Sequence, residues 1–306
     1  MKSRSNLSPQ SIVNSPQYRL LSIDKPINSQ FNMPHHCYLN GVISPVESTN
    51  IHITDLGLLR GYGLFDYFRT YNGRPFQWDW YWERFERSSK LMRLPNPILK
   101  EDAYKVVLSL IEQCGLADCG IRFVLTGGYS EDSMKMSKPN LLIISEDIHP
   151  IKPQEYETGI KVISHEYVRD YPDLKSTDYK HLMILQVDIK EAGATDVLFH
   201  KRGYISELSR SNVFLVKNNV LITPNRKILR GITRKVVLEL AKDHLKIEEK
   251  NVTLKELLEA DEVFTTSSTK KVLPITQIDS KIIADGKVGK TTKFLLDLIN
   301  EKVKNW

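Results

Sequence analysis

The 306-residue chain holds only three cysteines: Cys37, Cys114 and Cys119. An odd count without a CxxC spacing argues against a disulfide framework, and a reducing cytoplasm is the expected compartment. No apolar run is long enough to cross a bilayer, and the first residues lack the compact apolar stretch of a signal peptide. Histidine is sparse. The adjacent His35 and His36 cannot face one way on a strand, and no matching ligand cluster follows, so no metal site is expected. Charge of one sign is also scarce, at a formal net +6. Residues 1–32 carry Lys2, Arg4, Arg19 and Lys25 against Asp24 alone, which accounts for half of that excess. The remainder is spread too thinly for a nucleic-acid surface.

A hydrophobic share of 41% fits a soluble globular chain of a length that buries a core without metal or disulfide staples. Residues 1–32 are rich in Ser, Asn, Pro and Gln and read as a mobile tail. Met33 precedes the first strand-like segment, 36–43, and is a candidate for the true start. Residues 33–150 read as a small N-terminal α/β domain. It has a strand at 64–71, an Asn72-Gly73 turn, a helix at 78–94 with Trp78, Trp80 and Trp82 in its packing, and buried strands at 121–126 and 141–145. His149-Pro150-Ile151-Lys152-Pro153 reads as a connector, because two close prolines disfavour helix and sheet. Residues 151–306 read as a larger domain. Strands are expected at 160–163, 196–200 and 213–216, and helices at 179–192 and 232–244. A capping box at Thr253-Leu-Lys-Glu256 opens another helix. The fold class is α/β (α+β) in two domains.

The chemistry gathers on separated motifs. Lys175 lies in Asp173-Leu-Lys-Ser-Thr-Asp-Tyr179. Downstream come Gly203-Tyr-Ile-Ser-Glu207, then Ser209, Arg210, Ser211 and Asn212. Leu229-Arg-Gly231-Ile-Thr-Arg234 is a glycine turn before a helix, and Thr265-Thr-Ser-Ser-Thr269 is a hydroxyl run between strands. A Gly-Ile-Thr turn opening a helix aims free N–H groups at an anion such as phosphate. Thr233 and Thr269 add hydroxyl donors, and Arg84 adds a cation. A lysine bonds an aldehyde, and a carboxylate such as Glu207 keeps a pyridine nitrogen protonated.

In this order the motifs resemble the class IV (fold type IV) pyridoxal-5'-phosphate aminotransferases. Further matches are Asp55-Leu-Gly-Leu-Leu-Arg-Gly-Tyr-Gly-Leu-Phe-Asp66, Arg69-Thr-Tyr-Asn-Gly73 and Arg84-Phe-Glu-Arg-Ser-Ser89. Ala260-Asp-Glu-Val-Phe264 and Val272-Leu-Pro-Ile-Thr-Gln-Ile-Asp279 complete the set, which spans about residues 37–290. The resemblance implies that pyridoxal phosphate lies between the two domains, bonded to Lys175. Glu207 resembles the partner of the pyridine nitrogen, and Tyr179 that of the ring hydroxyl. Leu229 resembles the leucine against the ring. Arg84, Ile232, Thr233, Ser268 and Thr269 resemble the phosphate cup, with Arg87 one turn away as a competitor for Arg84. The resemblance also implies a homodimer with shared sites, acting on an amino acid and a 2-oxo acid.

Substrate class follows from departures within the family. The Arg-x-His pair of common D-amino-acid enzymes is absent near residues 129–136. The Tyr-x-Arg of branched-chain enzymes is Gly120-Ile-Arg122 here. Arg60, Arg122 and Arg210 instead resemble an arginine-rich D-amino-acid subgroup, in which Arg60 reaches in from the partner. Guanidinium groups suit substrate carboxylates. The expected activity is therefore D-alanine or D-glutamate transamination. Branched-chain L-amino-acid transamination, aminodeoxychorismate lyase and a non-catalytic cofactor-binding protein are the alternatives.

Overall fold

The computed structural model describes residues 36–306. The tail 1–32 and Met33 lie outside the described residues. The segment 36–43, expected as one strand, is instead a hairpin of β1 (His36–Leu39) and the start of β2 (Val42–Pro45). Asn40 at φ 50° and Gly41 at φ 107° supply the left-handed turn that folds it back. The short helix α1 (Leu56–Arg60) leads into β3 (Gly63–Tyr71), which turns at Asn72-Gly73 into β4 (Arg74–Pro75). With β5 (Gly120–Thr126) and β6 (Asn140–Glu146) these form a six-stranded antiparallel sheet ordered β2-β1-β6-β5-β3-β4.

Side chains alternate across this sheet, as the two-residue period of a strand requires. Leu64, Phe68, Ile121, Phe123, Leu125, Leu141 and Ile143 share one core with helices α2 (Trp78–Leu91) and α3 (Lys100–Cys114). Phe123 packs at once against Phe68, Trp78, Trp82 and Phe85. Phe65, Tyr67, Arg122, Val124 and Glu146 take the half-buried positions and line a cavity.

The chain crosses to the second sheet between Glu146 and Ile160. Pro153 does not bar a helix there: it starts α4 (Pro153–Thr158) at the first helical position, where no N–H is needed. The second sheet is mixed. It contains β7 (Ile160–Glu166), β8 (Asp196–Lys201), β9 (Tyr204–Leu208), β10 (Asn212–Lys217), β11 (Val220–Pro224) and β12 (Lys246–Lys250). The remaining strands are β13 (Glu262–Ser267), β14 (Lys271–Ile278) and the short β15 (Lys281–Ile282). The order is β12-β11-β10-β13-β14-β7-β8-β9, with β15 pairing β14. Helix α5 (Lys180–Glu191) packs on Val197 and Phe199. Helix α6 (Ile232–Ala241) stops three residues short of the expected end and packs with α8 (Lys290–Lys304) over Phe214 and Phe264. Helix α7 (Leu254–Leu258) carries the expected capping box.

Asp55 ties α1 to the sheet. It is buried, and one carboxylate oxygen accepts from the Gly57 N–H at 2.7 Å. The other accepts from Thr126 Oγ1 at 2.7 Å and Asn140 Nδ2 at 2.6 Å. Asp55→Ala leaves those donors buried and unpaired. The expected loss is roughly 2–4 kcal/mol in urea unfolding with an unchanged slope. A loss under about 0.5 kcal/mol, the range of ordinary surface changes, would contradict this anchoring role.

Candidate active site

Lys175 is placed by backbone pairing across the two halves of the chain. Its carbonyl accepts from the Phe65 N–H at 2.9 Å, and the Thr177 N–H donates to the Gly63 carbonyl at 3.0 Å. These bonds hold the segment before α5 against the start of β3. The Lys175 side chain points into a cleft and is half-buried, its open side facing that cleft. Its Nζ sits 4.4 Å from the centroid of the Phe65 ring. Among the described residues it has no carboxylate in contact. Burial, with Arg84 adding repulsion, pulls its pKa down to about 7.

The cleft is lined by Arg84, Lys175, Tyr179, Glu207, Arg210, Leu229, Ile232, Thr233 and Ser268. A larger cavity of about 670 Å³ shares Lys175, Tyr179, Arg210 and Ser268 with it, and adds Arg122 and Thr269. Every candidate residue except Arg60 therefore lines one of the two spaces. Arg60 is exposed at the end of α1, its Nη1 donating to the Leu59 carbonyl at 2.9 Å. Arg84 is buried while Arg87 is exposed, so of these two it is Arg84 that lines the cleft.

The far end of the cleft suits a phosphate. Gly231 caps α6 with no side-chain bond, so the first N–H groups of that helix face the cleft without side-chain competition. A Cβ at Gly231 would meet Asn212 Oδ1 at 2.2 Å, and the same Asn212 holds the Leu229 carbonyl through Nδ2 at 2.8 Å. Thr266 Oγ1 is buried, lines the cleft and has no partner. Ser268 accepts or donates to Tyr81 Oη at 2.6 Å, which ties the hydroxyl run to α2. Arg84 is aimed by Asp66: its Nε donates to Oδ2 at 2.8 Å and its Nη2 to Oδ1 at 2.5 Å. Convergent N–H, hydroxyl and guanidinium donors fit a dianion.

The other end suits a pyridine ring. Glu207 is buried, Oε1 accepting from Arg169 Nε at 2.8 Å and Oε2 from the Leu229 N–H at 2.9 Å. Burial pushes this carboxyl up, against Arg169 and the Leu229 N–H, which pull it down. Arg169 also donates to the carbonyls of Leu174 and Pro172, at 3.0 and 2.7 Å, and so braces the backbone beside Lys175. Neither Arg169 nor Asp66 is among the sequence candidates. Asp66 stands in the quoted signature without a role, and Arg169 meets Glu207 only through tertiary folding. Arg122 is bound to Glu146 on both sides of its fork: through Nε to Oε1, and from Nη2 to Oε2 at 2.9 Å. Among the described residues no group of His, Cys, Asp or Glu suits a metal ion, and no helix is long and apolar enough to cross a membrane.

Comparison with known proteins agrees with this chemistry. The amino-transferase class IV family matches residues 63–278. A protein of Methanocaldococcus jannaschii, provisionally named a branched-chain-amino-acid aminotransferase, is 33% identical over 88% of this chain and 96% of its own. A D-alanine aminotransferase of Staphylococcus epidermidis is 28% identical over 84% of this chain and 94% of its own. The T.th. branched-chain amino acid aminotransferase with pyridoxamine 5'-phosphate shares the fold at a TM-score of 0.83. It is 23% identical and covers 89% of this chain and 95% of that one. The branched-chain aminotransferase of Thermoproteus uzoniensis with norvaline is 25% identical at a TM-score of 0.80, over 88% and 95%. By the extent of these matches, and by a cleft whose donors fit the cofactor, the chain belongs to the class IV aminotransferases and is a pyridoxal-phosphate-dependent transaminase.

Proposed function

We propose that this transaminase moves the amino group of a D-amino acid, of the D-alanine or D-glutamate type, to a 2-oxo acid such as pyruvate or 2-oxoglutarate. The hand rests on the resemblance of Arg60, Arg122 and Arg210 to the arginine-rich D-amino-acid subgroup, and the structural observation that supports an acid substrate is Arg210. It opens onto both spaces beside Lys175 and has no acidic partner among the described residues. A free guanidinium binds a carboxylate bidentately. Gly120 supports the reading as well. A side chain there, such as the tyrosine of the branched-chain pattern, would meet the Tyr67 hydroxyl at 2.3 Å. A second reading, branched-chain L-amino acids, is favoured by the Methanocaldococcus jannaschii relative and by Phe65, Val124 and Ile151 in the larger cavity.

When bound, pyridoxal phosphate supplies an aldehyde for the substrate amine and a ring that spreads the electron pair left at Cα. Arg84, Thr233, Ser268, Thr269 and the Ile232 N–H would hold its phosphate. Glu207 would pair with the ring nitrogen and Tyr179 with the ring hydroxyl, while Leu229 would pack on the ring. Lys175 carries the proton. With a pKa of about 7, a large share of its amine is neutral near neutral pH and serves as base for the Cα proton. Arg210 orients the substrate by its carboxylate. Release of the oxo acid before the second substrate enters gives ping-pong kinetics.

Single-turnover mixing of the loaded enzyme with separate amino acids tests the hand. D-alanine or D-glutamate reacts and L-leucine does not. The rate falls as pH drops through about 7, because a protonated Lys175 cannot accept the Cα proton. Reaction with L-leucine and L-glutamate alone would refute the D-specific reading.

We further propose that Arg60 serves the site of a second copy of the chain. The apolar Ile53, Leu58 and Leu59 beside it are exposed, which suits a covered face. Mixed dimers of Arg60→Ala and Lys175→Ala subunits, each inactive alone, then regain about one quarter of wild-type activity, since half the random pairs hold one intact site. No regain on mixing places Arg60 outside the partner's site.

A further inference from the structure

The charged side chains of the larger cavity are not equally free. Lys270 is paired with buried Asp196 at 2.6 Å. Arg122 is paired with Glu146. Among the described residues Arg210 is unpaired, and so is Asp147, which lines the same cavity. Within its own chain a substrate carboxylate therefore finds one open guanidinium, Arg210, in a cavity also lined by two acids, Glu146 and Asp147.

The Arg122–Glu146 pair is built into the sheet. Glu146 stands directly across from Gly120 in the β5–β6 register, and Arg122 stands across from Ile144. The two are diagonal neighbours on the cavity face, within reach of long side chains. Gly120 has no side chain to separate them. The Arg122 guanidinium lies over the rings of Tyr67 and Phe65, 5.2 and 5.6 Å from their centroids, which fixes its plane. Glu146 then takes both parallel donors of the fork. A carboxylate arriving from the substrate meets an occupied fork and a cancelled charge.

We infer that Glu146 determines the substrate class: by occupying Arg122 it reserves the cavity for amino and oxo acids with a single carboxylate, held at Arg210. The inference rests on the carboxylate role given to Arg210 above, with Arg60 of a second copy joining Arg210 on that same carboxylate, and selects the alanine–pyruvate type over the glutamate–2-oxoglutarate type. Glu146 acts through Arg122 and is a positioning residue.

The test compares wild type, Glu146→Gln and the double variant Glu146→Gln/Arg122→Gln, each loaded with cofactor. Binding of glutarate and of butyrate is measured by calorimetry. Half-reactions are measured with alanine and glutamate of whichever hand the wild type accepts. Wild type binds butyrate at least as well as glutarate and reacts about tenfold better with alanine. Glu146→Gln tightens glutarate and raises kcat/KM for glutamate about tenfold, with butyrate and alanine changed less than about threefold. The double variant loses the gain. A wild type that prefers glutamate and glutarate overturns the inference. So does a Glu146→Gln protein in which both classes weaken alike, or a gain that survives loss of Arg122. Reaction only with L-amino acids rejects the D-specific reading, yet the one-carboxylate preference is still decided by the alanine–glutamate comparison.

Discussion

The structure depends on holding one amine in a cleft with, among the described residues, no carboxylate in contact. Burying a charged lysine is costly unless it is paired or gives up its proton. The other cations around the two spaces are treated differently, apart from Arg210. Arg84 has Asp66, Arg169 has Glu207, Arg122 has Glu146 and Lys270 has Asp196. Lys175 has an aromatic ring, two arginines near enough to repel it, and backbone bonds that keep it in place. The same surroundings that would make it a poor structural residue make its amine a usable base near neutral pH.

Strand β3 shows how one element serves both halves of the chemistry. Its two-residue period sends Asp66 to Arg84, and so orients the cation at the end of the cleft that suits a phosphate. The same period sends Phe65 and Tyr67 to the larger cavity, where they carry Lys175 and Arg122 on their faces. A one-residue slip would exchange the two sets. The pairing of Gly63 with Thr126 and Arg69 with Gly120 fixes that register along the whole strand.

Much of this is legible in the sequence because the chemistry needs particular residue types at turns. The Gly231 turn before a strong helix, the acid at Glu207 and the lysine at 175 can be read without contacts. Strands β3, β5 and β6 are legible from their apolar runs, and α7 from its capping box. Helix α3 is absent from the sequence reading although its signal is there: Ala103, Val107, Leu110 and Ile111 recur at helical spacing and are all buried. The hairpin at 36–45 is hidden because Asn40-Gly41 interrupts what resembles one strand. Pro153 reads as a breaker by residue type, while its position makes it a helix start. The ion-pair partners are out of reach. Arg169 and Glu207 are 38 residues apart, and Arg122 and Glu146 are 24 apart, so only the folded chain brings them together. Arg60 remains at the surface, and among the described residues its bond to the Leu59 carbonyl gives it no part in the cleft.

The central claim is that Lys175, and no other lysine, carries the cofactor. Borohydride reduction of the loaded protein fixes the carbon–nitrogen bond between them, and peptide mass mapping then locates it. The account predicts the label on the peptide containing Lys175, and its loss in Lys175→Ala. A label on Lys270, the buried lysine that also lines the cavity, or on any surface lysine in place of Lys175, would contradict it.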